Sequence, residues 1–171
     1  YRVIRITLPG FGLSGPRSDK KYKIKDYVNL LESFVSQIGI EKFHLAGNSL
    51  GGSVAWLYTT FYEKRVIKLI LINSSGFKFE DIPFVIRIAK NKYLNFLIKK
   101  ISPQLLIKKS LKEVFYDDNL ISNSIIERYY KLNLREGNRQ AFIDRAQINY
   151  TDQTSRLTKI KSPTLILWGQ N

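Results

Sequence analysis

The residues best suited to chemistry in this chain are Gly47-Asn48-Ser49-Leu50-Gly51-Gly52. They fit the G-x-S-x-G pattern, in which a tight turn between a strand and a helix holds a serine hydroxyl exposed above the sheet. Glycine is expected at the flanking positions because a Cβ there would collide with the crossing backbone. Gly52 would let the following helix pack close to the strand. The pattern therefore predicts that Ser49 is a nucleophile for a carbonyl carbon.

The segments on both sides of this turn have the required character. Residues 42–46 are short, apolar and β-prone. Residues 50–63 carry apolar side chains at helical spacing, namely Val54, Leu57, Tyr58 and Phe61. The alternative is an ordinary glycine-rich turn whose serine merely caps the helix.

The lone histidine, His44, is a poor candidate for the base that a serine nucleophile needs. It stands five residues before Ser49 on the predicted strand, and an extended strand rises about 3.3 Å per residue. That places it roughly 15 Å from the serine, whereas a base must come within about 3 Å. We therefore interpret His44 as a packed strand residue.

The composition is that of a globular domain. The chain has 171 residues, of which 44% are hydrophobic, and no run approaches the length of a membrane span. It has no cysteine, so disulfides and thiolate metal sites are excluded. It also has no methionine, which indicates that Tyr1 is not the natural start.

The chain is strongly basic, with a net charge of +14 and a pI of about 9.9. Such a charge is compatible with a nucleic acid or an anionic membrane as partner, but also with a compositional bias of a solvated surface. We expect a small-molecule substrate and no nucleic-acid partner.

Strand and helix patterns alternate along most of the chain. Strands are predicted at Arg2–Leu8, 42–46, Val66–Ile72 and 164–168, and an amphipathic helix at Lys23–Ile38 stops at Gly39. This order favours a parallel α/β sheet.

Residues 77–150 show no strand pattern and are predicted to form short helices. The breaks fall near Pro83, Ser102-Pro103, Asp117-Asp118 and Gly137. A helical insertion between two parallel strands is typical of a lid over a site at the strand ends. We predict three segments: a core with the serine turn at 1–76, a helical cap at 77–150, and a return to the core at 151–171.

The cap carries a basic and apolar surface. From residue 82 to residue 112 there is no Asp or Glu, and apolar residues alternate with eight Lys or Arg. This pattern suits weak contact with an anionic membrane. It equally suits a cap whose apolar face covers a pocket and whose lysines face water.

Four segments together resemble the α/β-hydrolase superfamily with a helical cap. They are Leu8-Pro9-Gly10-Phe11-Gly12-Leu13-Ser14, the serine turn at 47–52, Leu69-Ile70-Leu71-Ile72-Asn73, and Pro163-Thr164-Leu165-Ile166-Leu167-Trp168-Gly169. Thr7 departs from the Asp that the family often has there. The resemblance implies that the fold is a parallel-sheet α/β-hydrolase core holding strands four to seven only.

The resemblance implies further site elements outside the printed sequence. The catalytic acid and histidine are expected beyond Asn171, and a second oxyanion donor before Tyr1; within the chain, the backbone N–H of Leu50 is the expected oxyanion donor. Residues 1–171 alone are therefore expected to be inactive. The expected location is cytoplasmic, and the sequence leaves the oligomeric state open.

The resemblance implies a serine hydrolase acting on a carboxylic ester or related acyl substrate. Two alternatives stay open, a C–C bond hydrolase of the same fold and a binding protein without catalysis. No metal or organic cofactor is expected, because no histidine spacing suits a metal. Residues 10–15 imitate a dinucleotide loop only loosely, since Pro16 spoils a helix start.

Overall fold

A computed structural model describes residues 1–76, 82–100, 104–149 and 151–170. The predicted break at Ser102-Pro103, the first residues of the predicted cap and Asn171 lie outside the described residues. The elements are α1 (Ile24–Gln37), β1 (Phe43–Asn48), α2 (Leu50–Phe61), β2 (Val66–Ile72), α3 (Phe84–Lys90), α4 (Asn95–Lys100), α5 (Gln104–Lys112), α6 (Asn123–Leu134), α7 (Asn138–Ala146) and β3 (Thr164–Leu167).

The chain divides into two compact units. The sheet unit consists of Lys23–Phe79 and Asn149–Asn171, and the helical unit consists of Tyr1–Tyr22 and Glu80–Ile148. The helices of the predicted cap thus form one unit with the first 22 residues of the chain. The domain boundaries expected from the sequence differ from this division in placing those first residues with the core.

The sheet is parallel and its strands follow chain order, β1-β2-β3. In its register Gly47 lies opposite Leu71, and Leu71 opposite Ile166. The predicted strand at Val66–Ile72 is confirmed to the residue, and the strands predicted at 42–46 and 164–168 are confirmed within two residues. Leu69, at the centre of β2, is fully buried.

One predicted strand is wrong. Arg2–Leu8 forms no strand, and among the described residues no segment pairs with it. Its alternating apolar residues are partly open to solvent, with Val3 79% exposed and Ile4 39% exposed. The alternation of apolar and polar side chains shows that a segment is suited to a sheet. A strand forms only where a neighbouring strand completes its backbone hydrogen bonds. The sheet of the described residues therefore has three strands rather than the four predicted.

Helices α1 and α2 complete the sheet unit. The first begins where Asp26 accepts a hydrogen bond from the backbone N–H of Lys23 (2.8 Å), and it ends before Gly39, whose φ of 70° only glycine adopts readily. Its buried residues lie on one face, namely Tyr27, Val28, Leu31 and Val35. The predicted helix and its glycine stop are confirmed.

A polar cluster joins α1, α2 and the turn at 63–65. The Tyr58 hydroxyl donates to Glu32 (2.7 Å), and Arg65 pairs with the same carboxylate and donates to Ser36 (2.9 Å). Burial alone would raise the pKa of Glu32, but the hydrogen bonds from Tyr58 and Ser36 and the charge of Arg65 hold it below its ordinary value. Burial, and then the bond to Glu32, raise the pKa of Tyr58.

The helical unit contains α3 to α7. Gly137 precedes α7 with a φ of 78°, where the sequence predicts a break, and α3 starts directly after Pro83. The buried amide of Asn138 donates to the carbonyls of Gly12 (3.0 Å) and Leu132 (2.8 Å). This one side chain ties the loop at 9–16 to the end of α6.

None of the helices in the described part of the chain is long and apolar enough to cross a membrane.

Candidate functional site

The serine turn links β1 to α2 in one residue. Asn48 is the last residue of β1, Leu50 is the first of α2, and Ser49 stands between them with φ 50° and ψ −117°. A side chain other than glycine rarely adopts a positive φ, and such strain persists only where the surroundings determine it. The predicted strand–serine–helix arrangement is confirmed.

Two of the three glycines around Ser49 have no space for a side chain. A Cβ on Gly47 would lie 2.2 Å from the carbonyl oxygen of Gly51, and one on Gly52 would lie 2.5 Å from the hydroxyl of Ser74. The expectation for Gly51 is wrong, because a Cβ there would meet nothing within 4 Å. The backbone of β1 comes closest to the first turn of α2 at Gly47. Gly51 lies on a side of α2 where a Cβ would have open space.

The backbone of Ser49 is fixed by three hydrogen bonds. Its N–H donates to the carbonyl of Ile72 (3.0 Å) at the end of β2. Its carbonyl accepts from the N–H of Ser53 (3.1 Å) and from the N–H of Ser75 (3.0 Å). Ser49 is therefore held by its own helix, by the neighbouring strand and by the loop that follows that strand.

The loop after β2 packs against α2. The hydroxyls of Ser53 and Ser75 are 2.7 Å apart, and the indole N–H of Trp56 donates to the carbonyl of Ser75 (3.2 Å). A Cβ on Gly76 would lie 2.6 Å from the same indole nitrogen. The packing of this loop against α2 leaves no local pattern in the sequence, because it joins residues that are far apart in the chain. The only sequence signal was the run of small residues that allows a close approach.

Asn73 connects the same loop to the end of β3. Its backbone N–H donates to the carbonyl of Leu167 (2.9 Å), and its side-chain oxygen accepts from the N–H of Gly169 (2.7 Å). Asn73 itself has a φ of 41°, a conformation that asparagine tolerates better than most residues. The chain that leaves β3 is thus positioned by the loop that supports the serine turn.

The side chain of Ser49 is exposed and does not cap α2, although Ser49 occupies the capping position. The interpretation of this serine as an ordinary cap is therefore wrong. Leu50 is the first residue of α2, so its N–H has no acceptor inside the helix. An exposed hydroxyl thus stands beside a backbone donor at the positive end of a helix dipole.

The other sequence-predicted features lie as follows. His44 is on β1, as expected, but on its exposed face rather than packed. Among the described residues, no group of three or more His, Asp or Glu side chains could hold a metal ion.

Comparison with known proteins identifies the fold family. The family model for the alpha/beta hydrolase fold matches residues 1–171. The chain belongs to the α/β-hydrolase fold family.

This α/β-hydrolase chain is similar to curated relatives of greater length. A 2-hydroxy-6-oxononadienedioate/2-hydroxy-6-oxononatrienedioate hydrolase of Klebsiella pneumoniae subsp. pneumoniae is 32% identical over 184 residues. The alignment covers 100% of this chain and 60% of that relative. The chain therefore spans less than two thirds of the protein it matches.

Solved structures agree on the fold of this α/β-hydrolase chain. A membrane phospholipase A, described as a bacterial virulence factor, superposes with a TM-score of 0.74 at 28% identity, covering 96% of this chain and 52% of that one. A meta-cleavage product hydrolase of Pseudomonas fluorescens IP01 also gives a TM-score of 0.74, at 20% identity, covering 95% of this chain and 59% of that one.

Proposed function

We propose that the full-length protein is a serine hydrolase that acts on a carboxylic ester or related acyl substrate, with Ser49 as nucleophile. The observation that carries the proposal is the strained, exposed, uncapped serine between β1 and α2. A capping serine would have its hydroxyl occupied by the helix, whereas this hydroxyl is open to a substrate. Such a costly backbone conformation is typical of functional sites.

In the proposed reaction, the Ser49 oxygen attacks the carbonyl carbon and its proton passes to a histidine base supplied by the rest of the protein. The ester C–O bond then breaks, and the leaving alcohol takes up the proton. Water hydrolyses the acyl-enzyme and regenerates the serine. The described histidine, His44, is a strand residue and has no part in this proposal.

The N–H of Leu50 is the proposed donor to the oxyanion that forms during attack. It belongs to the residue after the nucleophile, and the helix dipole of α2 adds a favourable field at the same point. Loss of one such donor typically costs about 3–4 kcal/mol of barrier. The Leu50 side chain is incidental, because only the backbone would act.

A second candidate is C–C bond hydrolysis by the same serine. It is favoured by the 32% identical relative, which is named for a 2-hydroxy-6-oxo dioate. In such a molecule the carbonyl at position 6 is a ketone, so hydrolysis there breaks a C–C bond instead of a C–O bond. The ester reading is favoured by the phospholipase A structure, at 28% identity.

A substrate comparison tests both candidates in the full-length protein. Initial rates are measured with a series of p-nitrophenyl esters of increasing chain length and with a 2-hydroxy-6-oxo-dienoate. We expect ester turnover to exceed dienoate turnover. The reverse preference would replace the ester assignment by the C–C assignment and leave Ser49 in place.

The control variants separate catalysis from folding. Ser49→Ala should abolish turnover of whichever substrate is used, whereas Ser18→Ala, an exposed serine in a turn, should leave it unchanged. No turnover of either substrate by the wild-type protein, with no labelling by a fluorophosphonate, would support the third reading, a binding protein that keeps the fold without catalysis.

A further inference from the structure

Helices α3 and α4 are joined by the short turn at 91–94, and this helix–turn–helix segment, which we call the hairpin, has one side in the core of the helical unit. Ile88 and Ala89 of α3 and Ile98 of α4 are buried together with Ile143 of α7. These contacts fix the position of the hairpin, so the residues at its other side have a defined place on the surface. We call residues 90–100 the hairpin tip.

The turn of the hairpin tip is ordered by Asn91. Its side-chain oxygen accepts from the N–H groups of Tyr93 (2.9 Å) and Leu94 (3.2 Å), and its carbonyl accepts from the N–H of Asn95 (2.9 Å). An asparagine that closes a turn in this way supplies hydrogen bonds that the backbone would otherwise take from water. The tip is therefore a preformed turn.

Large apolar groups at the hairpin tip face solvent. Tyr93 is 86% exposed, Phe96 is 49% exposed and Leu94 is 42% exposed. Single exposed apolar residues are ordinary, but three within four positions of an ordered turn form a patch. This arrangement matches the anchors of proteins that insert a few side chains at a membrane interface.

The same tip is positively charged. It carries Lys90, Lys92, Lys99 and Lys100, all exposed, and no ion pair joins any of them to a described residue. Lys99 and Lys100 follow Phe96 by three and four positions of α4, so they lie on the same side of that helix.

Two lysines of the neighbouring helix α5 contact other side chains of the protein. Lys109 lies over the ring of Phe84, 3.7 Å from its centroid, and Lys112 pairs with Asp118. These cations are engaged within the protein, whereas those of the hairpin tip face solvent. The tip thus combines exposed lysines with exposed apolar groups over eleven consecutive residues, with no acidic residue among them.

We propose that the hairpin tip docks on an anionic lipid surface. The lysines would contact lipid headgroup phosphates, while Tyr93, Leu94 and Phe96 would enter the boundary between headgroups and acyl chains. Charge complementarity selects an anionic partner. The aliphatic Leu94 and the ring of Phe96 favour a lipid over a nucleic acid, because a nucleic-acid backbone offers phosphates but no apolar phase to receive them.

The test is vesicle flotation of the full-length protein with pure phosphatidylcholine and with phosphatidylcholine mixed with phosphatidylglycerol. We expect binding to the anionic vesicles only, and release by added salt, because the Debye length falls from about 10 Å at 0.1 M to about 3 Å at 1 M. The charge variant Lys92→Glu/Lys99→Glu should weaken binding about tenfold or more. The apolar variant Tyr93→Ser/Phe96→Ser should weaken it at unchanged salt dependence.

Matched controls use residues of the same type elsewhere. Lys42→Glu/Lys64→Glu removes two other exposed lysines, and Tyr116→Ser removes a tyrosine that is 85% exposed. Both should bind like the wild type, and circular dichroism should show all variants folded. Equal binding to neutral and anionic vesicles, no binding at all, or equal loss in the controls would overturn the proposal. So would tip-dependent binding to duplex DNA that is tighter than binding to vesicles.

Discussion

The serine turn and the hairpin tip both present exposed groups at a defined place, but they are held in different ways. The turn is fixed through the backbone, by Gly47 against Gly51 at a distance where no Cβ fits and by three hydrogen bonds to Ser49. The tip is fixed through side chains, by a few buried residues on its inner side. Where two backbones are in contact, as at Gly47, almost no substitution is tolerated. Where buried side chains hold a segment in place, as at the hairpin tip, its outer residues can be changed without disturbing the structure.

This difference matches what each region would have to do. A nucleophile must be positioned to a fraction of an ångström, and backbone contacts deliver that precision. A surface that meets lipid needs only a suitable charge and apolar area, which many side chains provide. We therefore expect a substitution at the closely packed Gly47 of the turn to have large effects on activity and stability, and substitutions at the tip to alter binding alone.

The largest effect is expected for Gly47→Ala. Its Cβ would lie 2.2 Å from the backbone oxygen of Gly51, so the turn must open or the helix must shift. We expect the free energy of unfolding to fall by about 3 kcal/mol or more, which is the upper end of the range for substitutions that overpack a protein interior. We also expect no measurable turnover. Urea denaturation and ester hydrolysis measure both.

The matched control for that prediction is Gly51→Ala. A Cβ at Gly51 meets nothing within 4 Å, and alanine is the better helix former, so stability should stay equal or rise by up to about 1 kcal/mol. Similar damage from both substitutions would show that the turn needs glycine flexibility in general and not the specific approach of Gly47.

A smaller effect is expected for Asn138→Ala in the helical unit. Its amide donates to Gly12 and Leu132, and its removal leaves two partly buried carbonyls without that donor. The expected loss of stability is about 1–3 kcal/mol. Asn138→Asp should be worse than alanine, because a carboxylate would face the same two carbonyl oxygens. Thermal unfolding measures the series, with the exposed Asn123→Ala as control.

An unchanged melting curve for Asn138→Asp would contradict the role of this amide. It would mean that other contacts hold the loop at 9–16. One of them is the guanidinium of Arg145, whose central carbon lies 3.5 Å from the centroid of the Phe11 ring.

The smallest effect is expected for Glu32→Gln in the polar cluster of the sheet unit. The pKa of Glu32 is held below its ordinary value, so its charge stabilises the folded state above the unfolded pKa of about 4.3. That contribution is lost as the pH falls through the lower folded pKa. Glu32→Gln should cost up to about 1 kcal/mol at neutral pH, and the difference from wild type should vanish at low pH.

Chemical denaturation across acidic to neutral pH tests whether the stabilising contribution of Glu32 is lost as the pH falls. The exposed Glu136→Gln, measured under the same conditions, serves as the control for replacing a surface carboxylate. A difference between wild type and Glu32→Gln that grows as the pH falls would contradict the depressed pKa.

The sequence was sufficient for the local elements because they follow from local patterns. The strand at Val66–Ile72 is an apolar run rich in β-branched residues and interrupted only by Lys68, and the helix at 24–37 has a clear apolar face with a glycine stop. The serine turn was found from three glycines and a serine. These features depend on residues within a few positions of each other.

Features that depend on distant partners were missed or mistaken. Arg2–Leu8 alternates like a strand, but a strand also needs a neighbour, which its own residues do not reveal. The support of Ser49 by Ser75 joins residues 26 positions apart, and no local pattern predicts it. Gly51 fits the motif as well as Gly47 does, and only the three-dimensional packing shows that the two glycines differ.

The central claim is that Ser49 is the nucleophile, and active-site labelling tests it most directly. The full-length protein is treated with a fluorophosphonate, digested, and the modified peptide is mapped by mass spectrometry. We predict a single adduct on Ser49, formed at the rate at which activity is lost, and no adduct in Ser49→Ala, whose circular dichroism should match wild type. An adduct on another serine, or labelling that persists in Ser49→Ala, would contradict the account.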